Sequence, residues 1–405
     1  MAERPYELVL LGATGYTGKF TAQYIQEHVH PDLSWAIAGR NEKRLLEIAE
    51  ELKQMNPARI QPGMLLRLVV EVKSEDLSAI AGKTKVLMTT LGPYAKFGEP
   101  VVKACVDAGT HYLDVTGEVT FTYDMMRKYD KAAKAKGVCV LPSDILAYLC
   151  AKTAREKLNV GLRDCINSLQ TLVGTFSGGT SHSVIGLVEA YPISFINASS
   201  KPTALCPIAP PKATPSTIGR WSSLVGSRHV SGLGRLTDSP QALSDTGIVY
   251  RSWGIFDAGA YYGPQFTFTK YMRVSNGLIG ACVHYLFAIV LIGLYLRPVR
   301  SIFKRLSHSP GAGPDAEEAA KNILSYKAVA TADEPRKRRV HATYHYEGSV
   351  YYMTGITLTE AALVLSRGGD CLGKRLGGMI TPTTLEMEYV ERLQRAGIKL
   401  GWGML

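Results

Sequence analysis

The first 150 residues alternate between short apolar runs and longer amphipathic stretches. Tyr6–Leu11, Ser34–Ala38, Leu66–Val72, Lys85–Thr90, His111–Val115 and Val138–Leu141 have the length and composition of buried strands. Between them, Thr17–His28, Glu42–Met55, Leu77–Ala81, Glu99–Ala108 and Tyr123–Lys136 read as helices. Alternation at this spacing predicts parallel pairing through right-handed crossovers. The expected fold of residues 1–150 is therefore α/β, a doubly wound Rossmann sheet.

Beyond residue 150 the period changes. Asp164–Gly174 predicts a strand and Ser183–Glu189 a helix. The Pro-, Gly- and Ser-rich stretch 201–247 reads as loops, and Gly247–Arg251 and Gln265–Lys270 as strands. We read 151–275 as an α+β substrate domain, 276–306 as an apolar segment with a basic flank, and 307–405 as a return segment packing on the core. Leu278–Leu296 runs nineteen residues without a formal charge, which meets the roughly 18-residue length of a membrane span. Arg297, Arg300, Lys304 and Arg305 follow directly. The tail beyond residue 340 looks like part of the same globular unit, so the pattern favours a membrane-associated helix embedded in one leaflet over a simple span.

Composition narrows the reading. The chain of 405 residues is 46% hydrophobic and 20% charged, enough for two folded domains. The net charge of +11 is spread along the whole sequence, which points away from a nucleic-acid partner and fits contact with phosphates or an anionic membrane. Seven scattered cysteines form no C-x-x-C pair, which argues against both a disulfide framework and a zinc site. The run Leu8–Leu11 is too short for a signal sequence, so the chain is expected to face the cytosol, at a membrane or a lipid droplet.

The strongest chemical signal is Gly12-Ala13-Thr14-Gly15-Tyr16-Thr17-Gly18, which follows a strand and opens a helix. In that context Gly12 permits the turn, Gly15 lets the backbone approach a diphosphate, and Gly18 lets helix and strand pack closely. The diphosphate then rests on the helix N-terminus. At the end of the second strand stand Gly39, Arg40 and Asn41, with no carboxylate to hold a ribose 2′-hydroxyl; Arg40 suits a 2′-phosphate, which favours NADP(H). Gly92-Pro93-Tyr94 and Thr116-Gly117 end the fourth and fifth strands, where loops line the cofactor crevice. Tyr94 is the first candidate for a proton donor, ahead of His111 and Asp144.

Taken in order, these pieces resemble the saccharopine dehydrogenase-like oxidoreductases, in particular their trans-acting enoyl reductase branch. The matching residues are Gly12–Gly18, Ala38-Gly39-Arg40, Gly92-Pro93-Tyr94, Gly98-Glu99-Pro100 and Asp114–Glu118, then Phe176–Thr180, Arg251-Ser252, Tyr262-Gly263-Pro264 and Gly377–Pro382. The resemblance implies an N-terminal Rossmann domain, an inserted α+β domain, a return segment and association with membrane or lipid. One departure stands out: the Cys/Ser-Gly-Phe-Asp-Ser run that usually precedes Pro142-Ser143-Asp144 in the family is missing. The expected activity is NADPH-dependent reduction of a carbon–carbon double bond in a lipid-like, polyketide or terpenoid intermediate. A non-redox cyclase or isomerase, or a lipid-surface binding protein on the same scaffold, is the alternative that the missing run favours. Expected partners are a hydrophobic small molecule and a lipid surface, with a synthase and a second copy of the chain as further candidates.

Overall fold

A computed structural model describes residues 4–56, 67–69, 74–141, 145–174, 185–209, 225–306 and 316–405. Its N-terminal sheet contains β1 (Tyr6–Leu11), β2 (Trp35–Gly39), β3 (Arg67–Val69), β4 (Thr84–Thr89), β5 (His111–Asp114) and β6 (Cys139–Leu141). They pair in the order β6-β5-β4-β1-β2-β3, every neighbour parallel. This is the expected doubly wound order. A seventh strand, β13 (Gly378–Met379), joins parallel beside β6 from far along the chain. Leu8, Val9 and Leu10 are fully buried because helices cover both faces of the sheet, which is why β1 reads as an unbroken apolar run.

The crossovers are α1 (Tyr16–His28), α2 (Glu42–Met55), α3 (Ser74–Gly82), α4 (Tyr94–Ala108) and α5 (Val119–Ala135). In α2 the buried positions are Leu45, Ile48 and Leu52, one stripe at helical spacing. Helix α4 begins at Tyr94, five residues before the pattern suggests, and ends on Gly109 in the left-handed region at φ +69°.

Helix α6 (Leu146–Leu158) leads into a second sheet. It comprises β7 (Leu162–Val173), β8 (Arg228–Val230), β9 (Gly234–Asp238), β10 (Thr267–Arg273), β11 (Ile323–Ala332), β12 (Arg339–Glu347) and β14 (Lys399–Met404). The order is β14-β12-β11-β7-β10-β9-β8, with β7 and β10 parallel and the other pairs antiparallel. Between β7 and β8 lies α7 (Ile193–Ser199).

Three expectations change here. The stretch 201–247 is not all loop: it holds β8, β9 and the start of α8 (Ala242–Ile255). Gly247–Arg251, read as a strand, is the middle of α8. Gly247 through Gly254 are all buried, so no polar face reveals the helical period, and a short apolar run cannot announce its own type. Residues 323–347 are not a return segment either, since they supply β11 and β12. The return to the first sheet is made by α12 (Val350–Arg367), α13 (Leu372–Leu376), β13 and α14 (Glu386–Arg395).

The apolar stretch forms α9 (Gly277–Gly293), after which the chain bends by 113° into α10 (Arg297–Leu306); α11 (Ala316–Ala320) follows. No single helix among the described residues is long and apolar enough to cross a membrane. Within α9 only Gly280 is buried, so it is no core helix.

Candidate functional site

The glycine loop has the geometry its spacing requires. Gly12 lies at φ +93°, and its carbonyl accepts from Gly15 N–H at 2.9 Å. A side chain on Gly18 would fall 2.1 Å from that carbonyl oxygen and 2.8 Å from Thr90 Oγ1, so α1 approaches β1 more closely than any other residue allows. Thr90 Oγ1 itself donates to Gly12 O at 3.1 Å, a clamp that the motif alone does not show. Gly15 caps α1 without a side-chain acceptor, and the first turn carries no acidic residue. The positive end of the helix is thus left to a diphosphate, and the cradle fits the dinucleotide. Tyr16 meets Phe20 and Tyr351 edge-on, fixing α1 to α12, while Thr17 contributes its carbonyl to Thr21 Oγ1. The Thr14 methyl lies 3.6 Å from where a side chain on Gly39 would sit, which joins the loop to the end of β2.

Arg40 leaves that strand end exposed, with its guanidinium 5.9 Å from the Phe97 ring centroid. The Lys96 ammonium lies 5.1 Å from the same ring. Two cations and an aromatic face therefore stand where a 2′-phosphate and adenine would lie. Phe97 and Lys96 sit just beyond the Gly92-Pro93-Tyr94 motif, and the sequence pattern does not single them out. Asn41 serves the structure, because its side chain accepts from Arg44 N–H at 3.1 Å and caps α2.

The fourth and fifth strand ends are tied together, and the tie removes Tyr94 as a crevice proton donor. Its ring packs beside Phe121, and its hydroxyl donates to Thr89 O at 3.0 Å while accepting from Val115 N–H at 3.4 Å. Burial, and then the neighbouring Asp114, push this phenol far above its ordinary range, so it keeps its proton. Glu118 accepts from the N–H groups of Tyr94 and Ala95 at 2.9 and 2.8 Å, capping α4 from another loop. That remote cap accounts for the early start of α4. Thr116 donates its N–H to Asp114 Oδ1 at 3.1 Å and accepts from Glu118 N–H at 3.0 Å. Gly117 is exposed, with open space beside it. Asp114 also accepts from Tyr112 OH at 2.8 Å. It borders a cavity of about 10 Å³, and burial raises its carboxyl to about 7.

His111 lies at the amino end of β5, away from the crevice, and its Nδ1 accepts from Cys139 N–H at 3.1 Å. Burial and the positive charges of Lys374 and Arg4 lower it to about 4, so it is a neutral structural acceptor. Asp144, with the rest of Pro142–Asp144, and the Phe176–Thr180 motif lie outside the described residues.

A buried polar cluster lies on the second sheet. Along β10, Phe268, Lys270 and Met272 share the face turned toward the first sheet, and Lys270 is only 5% exposed. Its ammonium pairs with Asp245 of α8 and lies 4.5 Å from the Tyr326 ring centroid. Tyr326 in turn donates to Gln241 Oε1 at 2.8 Å. The strand partner of Lys270 on β7 is Asn167, whose buried Oδ1 has no hydrogen-bond partner among the described residues. Two residues beyond Asp245, Gly247 packs on Val119, which directly follows the Asp114–Glu118 loop. Helix α8 thus contacts β10 on one side and α5, which follows that loop, on another. No motif marks Lys270; the signal that could find it is a lysine at an inward position of an alternating strand.

Two motifs distant in sequence meet behind this cluster. Arg251, 2% exposed, donates to Asp130 Oδ1 at 2.9 Å, to Leu205 O at 2.8 Å and to Met379 O. Ser252 Oγ lies 2.7 Å from Thr381 Oγ1. Arg251-Ser252 and Gly377–Pro382 are thus one junction between the two sheets.

Residues 8–141 match the saccharopine dehydrogenase NADP binding domain. A Mycobacterium tuberculosis relative is 29% identical over 424 residues, covering 98% of this chain and 97% of its own. The trans-acting enoyl reductase of Mycobacterium bovis is 27% identical over 428 residues, covering 99% and 98%. Among solved structures, apo saccharopine dehydrogenase (L-Glu forming) from Saccharomyces cerevisiae superposes with a TM-score of 0.57 at 13% identity, over 99% of this chain and 100% of that one, a likeness of fold. The resemblance carried by the motifs is thus matched over the N-terminal domain: residues 8–141 fit a saccharopine dehydrogenase NADP binding domain, the whole chain is similar to trans-acting enoyl reductases, and it is an NADP(H)-dependent oxidoreductase.

Proposed function

We propose that the chain is a trans-acting enoyl reductase that reduces a conjugated carbon–carbon double bond in a hydrophobic polyketide- or terpenoid-type intermediate. The bound cofactor would supply a hydride to the β-carbon. Electron density then moves onto the substrate's carbonyl oxygen, and a proton must reach the α-carbon. The observation that carries the reading is buried Lys270. Burial works to lower its ammonium, but the neighbouring Asp245 and Tyr326 outweigh it and hold the group above its usual range, so it stays charged at neutral pH and could stabilise that oxygen. The designation of the Mycobacterium bovis relative as a trans-acting enoyl reductase supports the same chemistry.

We place the protein on the cytosolic surface of a membrane or lipid droplet. The reading is supported by Leu278, Leu286, Ile289 and Ile292 of α9 and Ile302 of α10, which are exposed, with Arg297 and Arg300 following the bend between the two helices. A synthase that hands over the substrate and a second copy of the chain are the remaining proposed partners.

The test is stopped-flow oxidation of 4-deuterated NADPH with α,β-unsaturated thioesters of increasing chain length. Deuterium should appear at the β-carbon, and Lys270→Met should lower kcat by roughly 100-fold while leaving the NADPH dissociation constant unchanged. Tight NADPH binding with no oxidation across the series would defeat the reductase reading and leave the non-redox alternative.

A further inference from the structure

The second half of the chain touches the cofactor crevice at a point that the glycine loop and Arg40 leave unused. The diphosphate on Gly12–Gly18 and the 2′-phosphate at Arg40 put the adenine half of the dinucleotide over β1 and β2. Its nicotinamide half then extends to the other side of β1, over the end of β4. There the chain turns through Gly92-Pro93-Tyr94, and on that turn rests a helical stretch, 185–190. A side chain on its Gly186 would bring a carbon 3.1 Å from Pro93 Cβ and 3.5 Å from Pro93 Cγ. Two carbons rest at roughly 3.5–4.0 Å, so the helix lies closer to the turn than any other residue would allow. Glycine weakens a helix, and the close approach to Pro93 is what it gives in return.

Both sides of this contact are held in place. Below, the Tyr94 N–H donates to Glu118 at 2.9 Å and its hydroxyl donates to Thr89 O at 3.0 Å. Above, Ile185 is buried, and the chain beyond residue 190 is fastened to α5. Tyr191 OH donates to Asp124 Oδ2 at 3.3 Å, the Phe195 ring meets the Tyr123 ring edge-on at 5.4 Å, and Ser199 Oγ lies 2.8 Å from Thr120 Oγ1. Helix α5 starts directly after the Asp114–Glu118 loop, so the segment 185–199 runs from the turn after β4 to the helix that follows β5. Extra volume at position 186 would therefore drive Pro93 into the crevice or lift the stretch 185–190 off it.

We propose that Gly186 is a positioning residue for the nicotinamide half of the cofactor. By letting the stretch 185–190 lie flush on Pro93, it fixes the turn against which the ring rests and closes that end of the crevice to water. A ring held against a fixed turn presents one orientation for hydride transfer. The inference rests on the NADP(H) assignment of the first domain and is independent of the substrate class.

The experiment compares binding of NADPH and of 2′-phospho-ADP-ribose, which lacks the nicotinamide ring, to the full chain. Acrylamide quenching of the bound dihydronicotinamide fluorescence is measured alongside. Gly186→Val should weaken NADPH by roughly 5- to 30-fold, the range an overfilled contact gives, and leave 2′-phospho-ADP-ribose within about two-fold. The quenching constant of bound NADPH should rise toward that of free NADPH. Gly186→Ala, which adds one methyl group, should move both readouts the same way by less, and it carries the test if the valine variant gives no cooperative melt. Arg40→Ala, at the other end of the cofactor, should weaken both ligands alike. An equal loss of both ligands in the Gly186 variants would make the glycine a general support of the fold. Unchanged NADPH affinity and quenching would place the ring elsewhere, and either result overturns the proposal. Failure of the wild type to bind either ligand would instead strike the cofactor assignment, and the proposal with it.

Discussion

At the scale of single residues, charge and hydrogen bonding decide which polar groups act and which only hold. Arg40 is exposed and borders open space, so its worth is in the ligand. Arg40→Ala should weaken NADPH by roughly 10- to 100-fold, the value of a charge-assisted contact, while leaving NADH within a few-fold. Fluorescence titration with both cofactors checks this, and an equal loss for the two would refute the 2′-phosphate assignment. Asp114 and His111 make a linked pair in the opposite sense. Asp114 rises from 3.8 to about 7, so the folded state holds its proton more tightly, and its stabilising contribution fades as pH climbs from about 4 to 7. His111 falls from 6.5 to about 4, so its contribution is full above pH 6.5 and fades as pH drops toward 4. Between those limits the two slopes oppose each other. Urea midpoints of Asp114→Asn should therefore rise with pH across that window, and those of His111→Asn should fall. The asparagine keeps an acceptor for Cys139 N–H, so a matching profile in both variants would show that neither group is perturbed as described.

At the scale of elements, the same residues show what local pattern can and cannot carry. The glycine loop, the parallel strands and the absence of a carboxylate after β2 were legible because each depends on neighbours in sequence. Tyr94 was not. The motif places it at a strand end, but its direction is set by Glu118, Thr89 and Val115, which arrive from other segments. Helix α8 was hidden for a related reason, since burial on all sides erases its period. Its Arg251 holds α5, the 205 loop and β13 together. Arg251→Ala removes a buried side chain and leaves Leu205 O and Met379 O without their donor, while Asp130 keeps Lys134 at 2.7 Å and Met379 N–H at 2.8 Å, so it should cost about 2–3 kcal/mol. Chemical denaturation would register the loss, and an unchanged midpoint would show that the junction carries little of the fold.

At the scale of the molecule, a single apolar core runs from the first sheet through α6 and α12 to the second sheet. It includes Leu8, Leu10 and Ile37 at one end and Ala328, Val340 and Tyr344 at the other. The two sheets should therefore melt together. Calorimetry should give one transition, which NADPH at a hundred times its dissociation constant raises by about 2.7 kcal/mol as a whole. Two resolved transitions, only one of them responsive to NADPH, would contradict this. Strand β13 adds a temporal consequence. Cys139 beside it donates to the carbonyl of Gly373, 234 positions further along the chain. On the ribosome the dinucleotide domain emerges before the C-terminal region, so its outer edge stays unzipped until that region has been translated. During that interval the nascent chain presents an open parallel edge at β6, and this is where a chaperone would be needed.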